Sequence, residues 1–121
     1  MNPFVWVGVL LLGGAGAVLR FVIDGAVSAR VSRPFPYGTL VVNLTGALLL
    51  GLVTGLALSK TGSLLIGTAA LGGYTTFSTW MFETQRAGES RQVPVMLANV
   101  VVSLVAGLAA AAVGRLIGAH L

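Results

Sequence analysis

Long apolar runs separated by a few charged residues set the pattern of this chain. Met1 to Leu19 is uncharged up to Arg20, and apolar character resumes in Phe21-Val22-Ile23 toward residue 30. Pro34 to Ser59 carries no charge over 26 residues, Thr61 to Phe82 none over 22, and Gln92 to Gly114 none over 23. A helix rises about 1.5 Å per residue, so about 20 apolar residues cross a hydrocarbon layer of ~30 Å. The runs therefore predict an all-α membrane protein with four spanning helices in one domain, over about residues 4–30, 37–59, 62–86 and 92–119. Short connectors divide them. Arg30, Arg33, Pro34 and Pro36 mark the first, Lys60 and Gly62 the second, and Gly88 and Pro94 the third, with both charge signs between Glu83 and Pro94.

Polar residues inside the runs carry the next layer of information. Thr39, Asn43 and Gly46 fall on one face of the second helix, and Asn99, Ser103 and Gly107 on one face of the fourth. An amide or hydroxyl in hydrocarbon must meet a neighbouring helix or a wet cavity, so each face predicts either interhelical hydrogen bonding or a shared pathway. The third run holds Gly72-Gly73-Tyr74-Thr75-Thr76-Phe77-Ser78-Thr79-Trp80 near its middle. Two adjacent glycines and several hydroxyl residues are poor choices for an unbroken helix. The third helix is therefore expected to be broken near its middle, freeing main-chain groups to bind ions, with a glycine-kinked packing helix as the alternative. Phe77 and Trp80, three apart, share a face, and the Ser78 and Thr79 hydroxyls point elsewhere.

Composition narrows the class. Only 8% of the 121 residues are charged, where a soluble domain has about 25%. The net charge of +4 comes from scattered single residues and offers no basic stripe to nucleic acid. With no Cys and a single His at 120, thiolate metal sites and a buried triad are excluded, and no acid/base pair suggests an enzyme. The first segment lacks the basic start of a secretory signal and is expected to be retained. Arg30, Arg33, Arg86 and Arg91 on one side oppose Lys60 and Arg115 on the other, a bias too small to force one orientation.

The 17 glycines include Gly51-x-x-x-Gly55 and Gly114-x-x-x-Gly118, spacing that lets helices approach closely and suggests association with further copies. Arg20 is the strong cation of the first run and reads either as an anchor paired with Asp24 or as a charge that faces water. A small multidrug transporter shares this size, but Asp24, Glu83 and Glu89 all lie toward helix ends rather than at mid-membrane. A membrane scaffold would use the glycines but not the paired polar faces.

Three segments together resemble one family. Gly13-Gly14-Ala15-Gly16-Ala17-Val18-Leu19-Arg20-Phe21, Gly38-Thr39-Leu40-Val41-Val42-Asn43 and Gly72-Gly73-Tyr74-Thr75-Thr76-Phe77-Ser78-Thr79 are similar, in order, to signatures of the Fluc (CrcB) fluoride channels. The resemblance implies a passive, fluoride-selective exporter in the cell's inner membrane, made of two antiparallel copies with two pores. It implies a fluoride pathway along Asn43, Phe77, Ser78, Thr79, Trp80 and Ser103, with Arg20 and Glu83 in the vestibules. It also implies a structural sodium ion at the dimer centre, held by the carbonyls of Gly72 and Thr75. Two positions depart from the family pattern: Trp80 stands where a second phenylalanine is usual, and Asn99 where a tyrosine is common.

Overall fold

The computed structural model describes residues 2–31 and 34–121, so Arg33 of the first connector lies outside the described residues. Among the described residues every regular element is helical. Helix α1 spans Pro3–Arg30, α2 Tyr37–Leu56 and α6 Val93–Ala119, and each is long and apolar enough to cross a membrane. Between α2 and α6 lie α3 (Lys60–Gly62), a π-helix (Ser63–Leu71), α4 (Gly72–Tyr74) and α5 (Ser78–Glu89). The chain is a multi-pass membrane protein.

Local chemistry sets the helix ends. Asn2 caps α1 by accepting from the Phe4 N–H at 2.8 Å, and Pro3 supplies a fixed φ at the first turn, where no N–H is needed. Helix α2 stops at Leu56, short of the expected residue 59, because Ala57 turns left-handed at φ 52°. Ser59 then caps the next segment, accepting from the Gly62 N–H at 3.0 Å. The third run, expected over 62–86 with a break near its middle, contains two helical stretches, with Thr75, Thr76 and Phe77 between them outside helix.

Packing is inverted relative to a soluble protein. Large apolar side chains such as Phe4, Leu10 and Phe21 on α1 and Val105, Leu108 and Leu116 on α6 point outward, while the buried apolar set is small: Val42, Val53, Ala69, Tyr74 and Ala87. Hydrocarbon solvates the outward chains, so helices gain by bringing backbones close rather than by burying bulk. Glycines do this between α2 and α6. A Cβ on Gly51 would overlap the Ala111 carbonyl, one on Gly55 the Arg115 carbonyl, and one on Gly114 or Gly118 the carbonyls of Leu48 and Leu52. Both glycine pairs singled out in the sequence are thus packed against each other inside one chain, which leaves neither free to meet a further copy. Helix α1 packs in the same way on the segment before Thr75, where Gly16 abuts the Ala70 carbonyl and Gly73 that of Gly13.

Candidate functional site

Where helical bonding stops, main-chain groups need new partners. Thr75 leaves α4 in extended conformation (φ −82°, ψ 163°), with its N–H still bonded to the Leu71 carbonyl at 3.0 Å and its hydroxyl donating to the same oxygen at 3.0 Å. At Thr76 the partner is a side chain from another helix. Asn43 of α2 donates through Nδ2 to the Thr76 carbonyl and accepts through Oδ1 from the Thr76 N–H, both at 2.8 Å. The Thr76 hydroxyl then accepts from the Thr79 N–H at 3.2 Å and starts α5. Nearby, the hydroxyls of Thr45 and Tyr74 lie 2.8 Å apart and tie α2 to α4.

Two cavities adjoin this non-helical stretch. A larger one, about 820 Å³, is bordered by Asn43, Gly46, Gly72, Thr75, Phe77 and Trp80, with Gly107 of α6 on its wall. A smaller one, about 150 Å³, is bordered by Arg20, Asp24, Thr39, Thr76 and Thr79. Thr76 belongs to both walls. A third cavity, about 530 Å³, opens at the end of the molecule where Ser28, Tyr37, Glu83 and Arg86 meet. Three buried oxygens, Thr39 Oγ1, Glu83 Oε1 and Asn99 Oδ1, have no hydrogen-bond partner among the described residues, and Thr39 and Glu83 border the second and third cavities respectively.

The expected residues fall into distinct places within this frame. Phe77 is 70% exposed and meets Trp80 edge-on, with ring centroids 5.7 Å apart and planes at 76°. In such a T-shaped pair the positive C–H rim of one ring meets the negative π-face of the other. The Ser78 hydroxyl lies 3.5 Å from that of Thr76. Ser103 is half-buried on α6 and makes no side-chain hydrogen bond among the described residues, and it borders none of the three cavities. Arg20 and Asp24 share the small cavity, and Asp24 accepts from the Ser28 hydroxyl at 3.3 Å. Gly72 and Thr75 border the large cavity, and among the described residues no main-chain N–H of the non-helical stretch bonds to either carbonyl.

On α6 the polar face divides. Asn99 takes the interhelical hydrogen-bonding alternative: its Nδ2 donates to Thr84 Oγ1 at 2.9 Å, and its carbonyl accepts from the Trp80 indole N–H at 3.0 Å. The indole N–H is therefore used within the chain. Thr76 and Thr84, central to this geometry, were not among the residues expected to matter. Thr76 sat within the hydroxyl cluster, but no sequence signal marks Thr84.

Comparison with known proteins bears on the same residues. The family model described as CrcB-like protein, Camphor Resistance (CrcB), matches residues 7–115. The chain belongs to the CrcB family. Among its CrcB relatives, the Fluoride-specific ion channel FluC 2 of Mycolicibacterium paratuberculosis is 68% identical over 111 residues, covering 92% of this chain and 91% of that protein. The Fluoride-specific ion channel FluC 2 of Mycobacterium tuberculosis is 61% identical over 111 residues, covering 92% and 88%. The Fluoride-specific ion channel FluC 1 of Leifsonia xyli is 41% identical over 122 residues, covering 98% and 89%. CrcB proteins are channels, and the chain is not an enzyme. The CrcB match takes in Arg20, Asn43, the Gly72 to Trp80 stretch and Asn99.

Proposed function

We propose that this chain is a fluoride-selective channel that lets fluoride leave the cell passively across the inner membrane. In this reading residues 62–86 form the third of four spans, interrupted at Thr75 to Phe77, and two copies assemble antiparallel with two fluoride paths. The observation that carries it is the Asn43-braced interruption beside two cavities, in a chain so similar to proteins named as fluoride-specific channels.

The chemistry fits a small anion. Crossing hydrocarbon requires exchange of hydration for donors that bind without trapping, and neutral hydroxyls, amides and ring edges supply partial positive charge without a fixed cation. Arg20 in the small cavity draws an anion from water. Beyond it, Thr79 and Ser78 offer hydroxyls, Phe77 and Trp80 offer edges, and Asn43 keeps one amide hydrogen not committed to Thr76. Ser103 contributes from α6 once the partner copy completes the wall. Glu83 stands one helical turn beyond Thr79, beside Thr39 and Asp24, at the same mouth as Arg20.

The carbonyls of Gly72 and Thr75 suit a sodium ion, because a hard monovalent cation takes uncharged oxygens and no carboxylate is at hand to select a divalent ion. One copy offers two such oxygens, and a second copy across a two-fold axis doubles them. When bound, sodium supplies positive charge that ties the two copies together.

Purified protein in liposomes loaded with potassium fluoride tests the function, with valinomycin added so that potassium can follow. Fluoride appears outside within seconds to minutes on a fluoride electrode if the reading holds. Release no faster than from empty liposomes overturns it.

A further inference from the structure

Beyond the interruption, α5 is tied to α6 by bonds among three residues, which leave only Asn99 Oδ1 of the Asn99 side chain without a partner among the described residues. Trp80 Nε1 donates to the Asn99 carbonyl at 3.0 Å. Asn99 Nδ2 donates to Thr84 Oγ1 at 2.9 Å and reaches the Trp80 carbonyl at 3.4 Å. Thr84 Oγ1 donates to that same Trp80 carbonyl at 2.8 Å. Asn99 thus grips the indole with its backbone and the indole's own backbone with its side chain. The residue is 1% exposed, so no water replaces a bond that is lost. The ring held in this way is the one that stands edge-on to Phe77.

We propose that Asn99 and Thr84 are positioning residues for the Phe77–Trp80 ring pair: the Asn99 main-chain carbonyl takes the indole N–H, and the Asn99 amide bonded to the Thr84 hydroxyl holds α5 and α6 in the register that keeps that carbonyl within reach, so that a passing anion meets ring C–H edges and no N–H donor. The inference rests on the fluoride-channel reading, in which these rings border the path. A channel site must bind strongly enough to admit an ion and weakly enough to release it. An indole N–H bonds an anion more strongly than a polarised C–H does. With the latch opened, the indole is free to turn its N–H to the path, fluoride binds more tightly there and leaves more slowly.

The test uses the full chain in liposomes, with efflux measured against fluoride concentration. Thr84→Val removes the hydroxyl at the centre of the latch and keeps the side-chain shape. Its maximal efflux should fall about tenfold, the effect of one buried hydrogen bond, and its half-saturating fluoride concentration should fall as well. Thr84→Ser should restore both. A lower maximum with unchanged half-saturation would overturn the proposal, since a loosened fold slows transport without tightening binding. A second arm compares Thr84→Val on a Trp80→Phe background, where no N–H exists to be freed. The proportional loss from Thr84→Val should largely disappear there, and its full persistence would overturn the proposal.

A third measurement is independent of conduction. The chain has two tryptophans, so Trp6→Phe leaves Trp80 as the single emitter. Emission from Trp80 should shift in Thr84→Val and in Asn99→Leu and return in Thr84→Ser, and identical spectra in all four proteins would overturn the latch. If the parent chain moves no fluoride, the channel reading fails, and these spectra still decide whether Asn99 and Thr84 hold the ring.

Discussion

The side chain of Asn43 and the main chain of Thr76 face each other through two 2.8 Å hydrogen bonds, although they are 33 residues apart. An Asn carboxamide has the donor and acceptor that a peptide unit presents, so one side chain replaces the two helical bonds that Thr76 forgoes. The interruption between α4 and α5 is thereby braced at its centre, where two cavities adjoin Thr76.

Replacing Asn43 should thus be costly in two ways. Asn43→Leu removes both bonds and leaves the Thr76 N–H and carbonyl without partners, a loss of about 2–4 kcal/mol. A thermal melt in detergent should show a clear drop. Fluoride efflux should fall by more than tenfold even at temperatures where the variant is folded. Asn43→Asp keeps only the acceptor and should lie below the parent in both measurements.

Phe77 and Trp80 should differ in what they tolerate. Phe77→Ile keeps an apolar side chain but deletes the ring edge, so efflux should fall at least tenfold while the assembled fraction on size exclusion stays that of the parent. Trp80→Phe retains an edge and loses the bond to Asn99, so it should conduct faster than Phe77→Ile and melt lower by about 1 kcal/mol of stability. A packing role for both would reverse the order, because the larger ring would then cost more.

Glycines of α2 and α6 give a contrast within one fold. Gly51→Leu and Gly114→Leu drive a side chain into a facing carbonyl and should abolish recovery of folded protein. Gly25→Ala on α1 meets nothing within 4 Å and should express at parent levels, with a melt unchanged or raised by up to about 1 kcal/mol.

Sodium should stabilise the assembly. Exchanging sodium for N-methylglucamine in the purification buffer should lower the melting midpoint and favour dissociated chains, and returning sodium should reverse both. Potassium at the same concentration should protect less, since two carbonyl pairs closing on a smaller ion bind it more tightly.

Much of this architecture is legible in the chain. Three uncharged stretches name α1, α2 and α6 because hydrocarbon thickness fixes helix length, and Gly51, Gly55, Gly114 and Gly118 mark where two helices touch. Gly72 to Thr79 flags the place where helical bonding lapses, since glycine and hydroxyl residues weaken it locally. What the pattern does not reveal is pairing. Nothing in the spacing of Asn43 says that its amide meets Thr76, or that Asn99 spends itself on Trp80 and Thr84 rather than lining a path, because such bonds depend on which helix faces which. The π-helical turn geometry over Ser63–Leu71 is likewise invisible, as its residues would serve an α-helix equally well. Ala57 ends α2 with φ 52° in a residue type that gives no such warning.

Paired efflux of fluoride and chloride from the same proteoliposomes tests the central claim most directly. The parent protein should empty its liposomes of fluoride while retaining chloride, and Phe77→Ile, equally assembled, should release fluoride at a small fraction of the parent rate. Equal release of the two halides by the parent, or undiminished fluoride release by Phe77→Ile, would contradict a selective path along the rings beside Thr76.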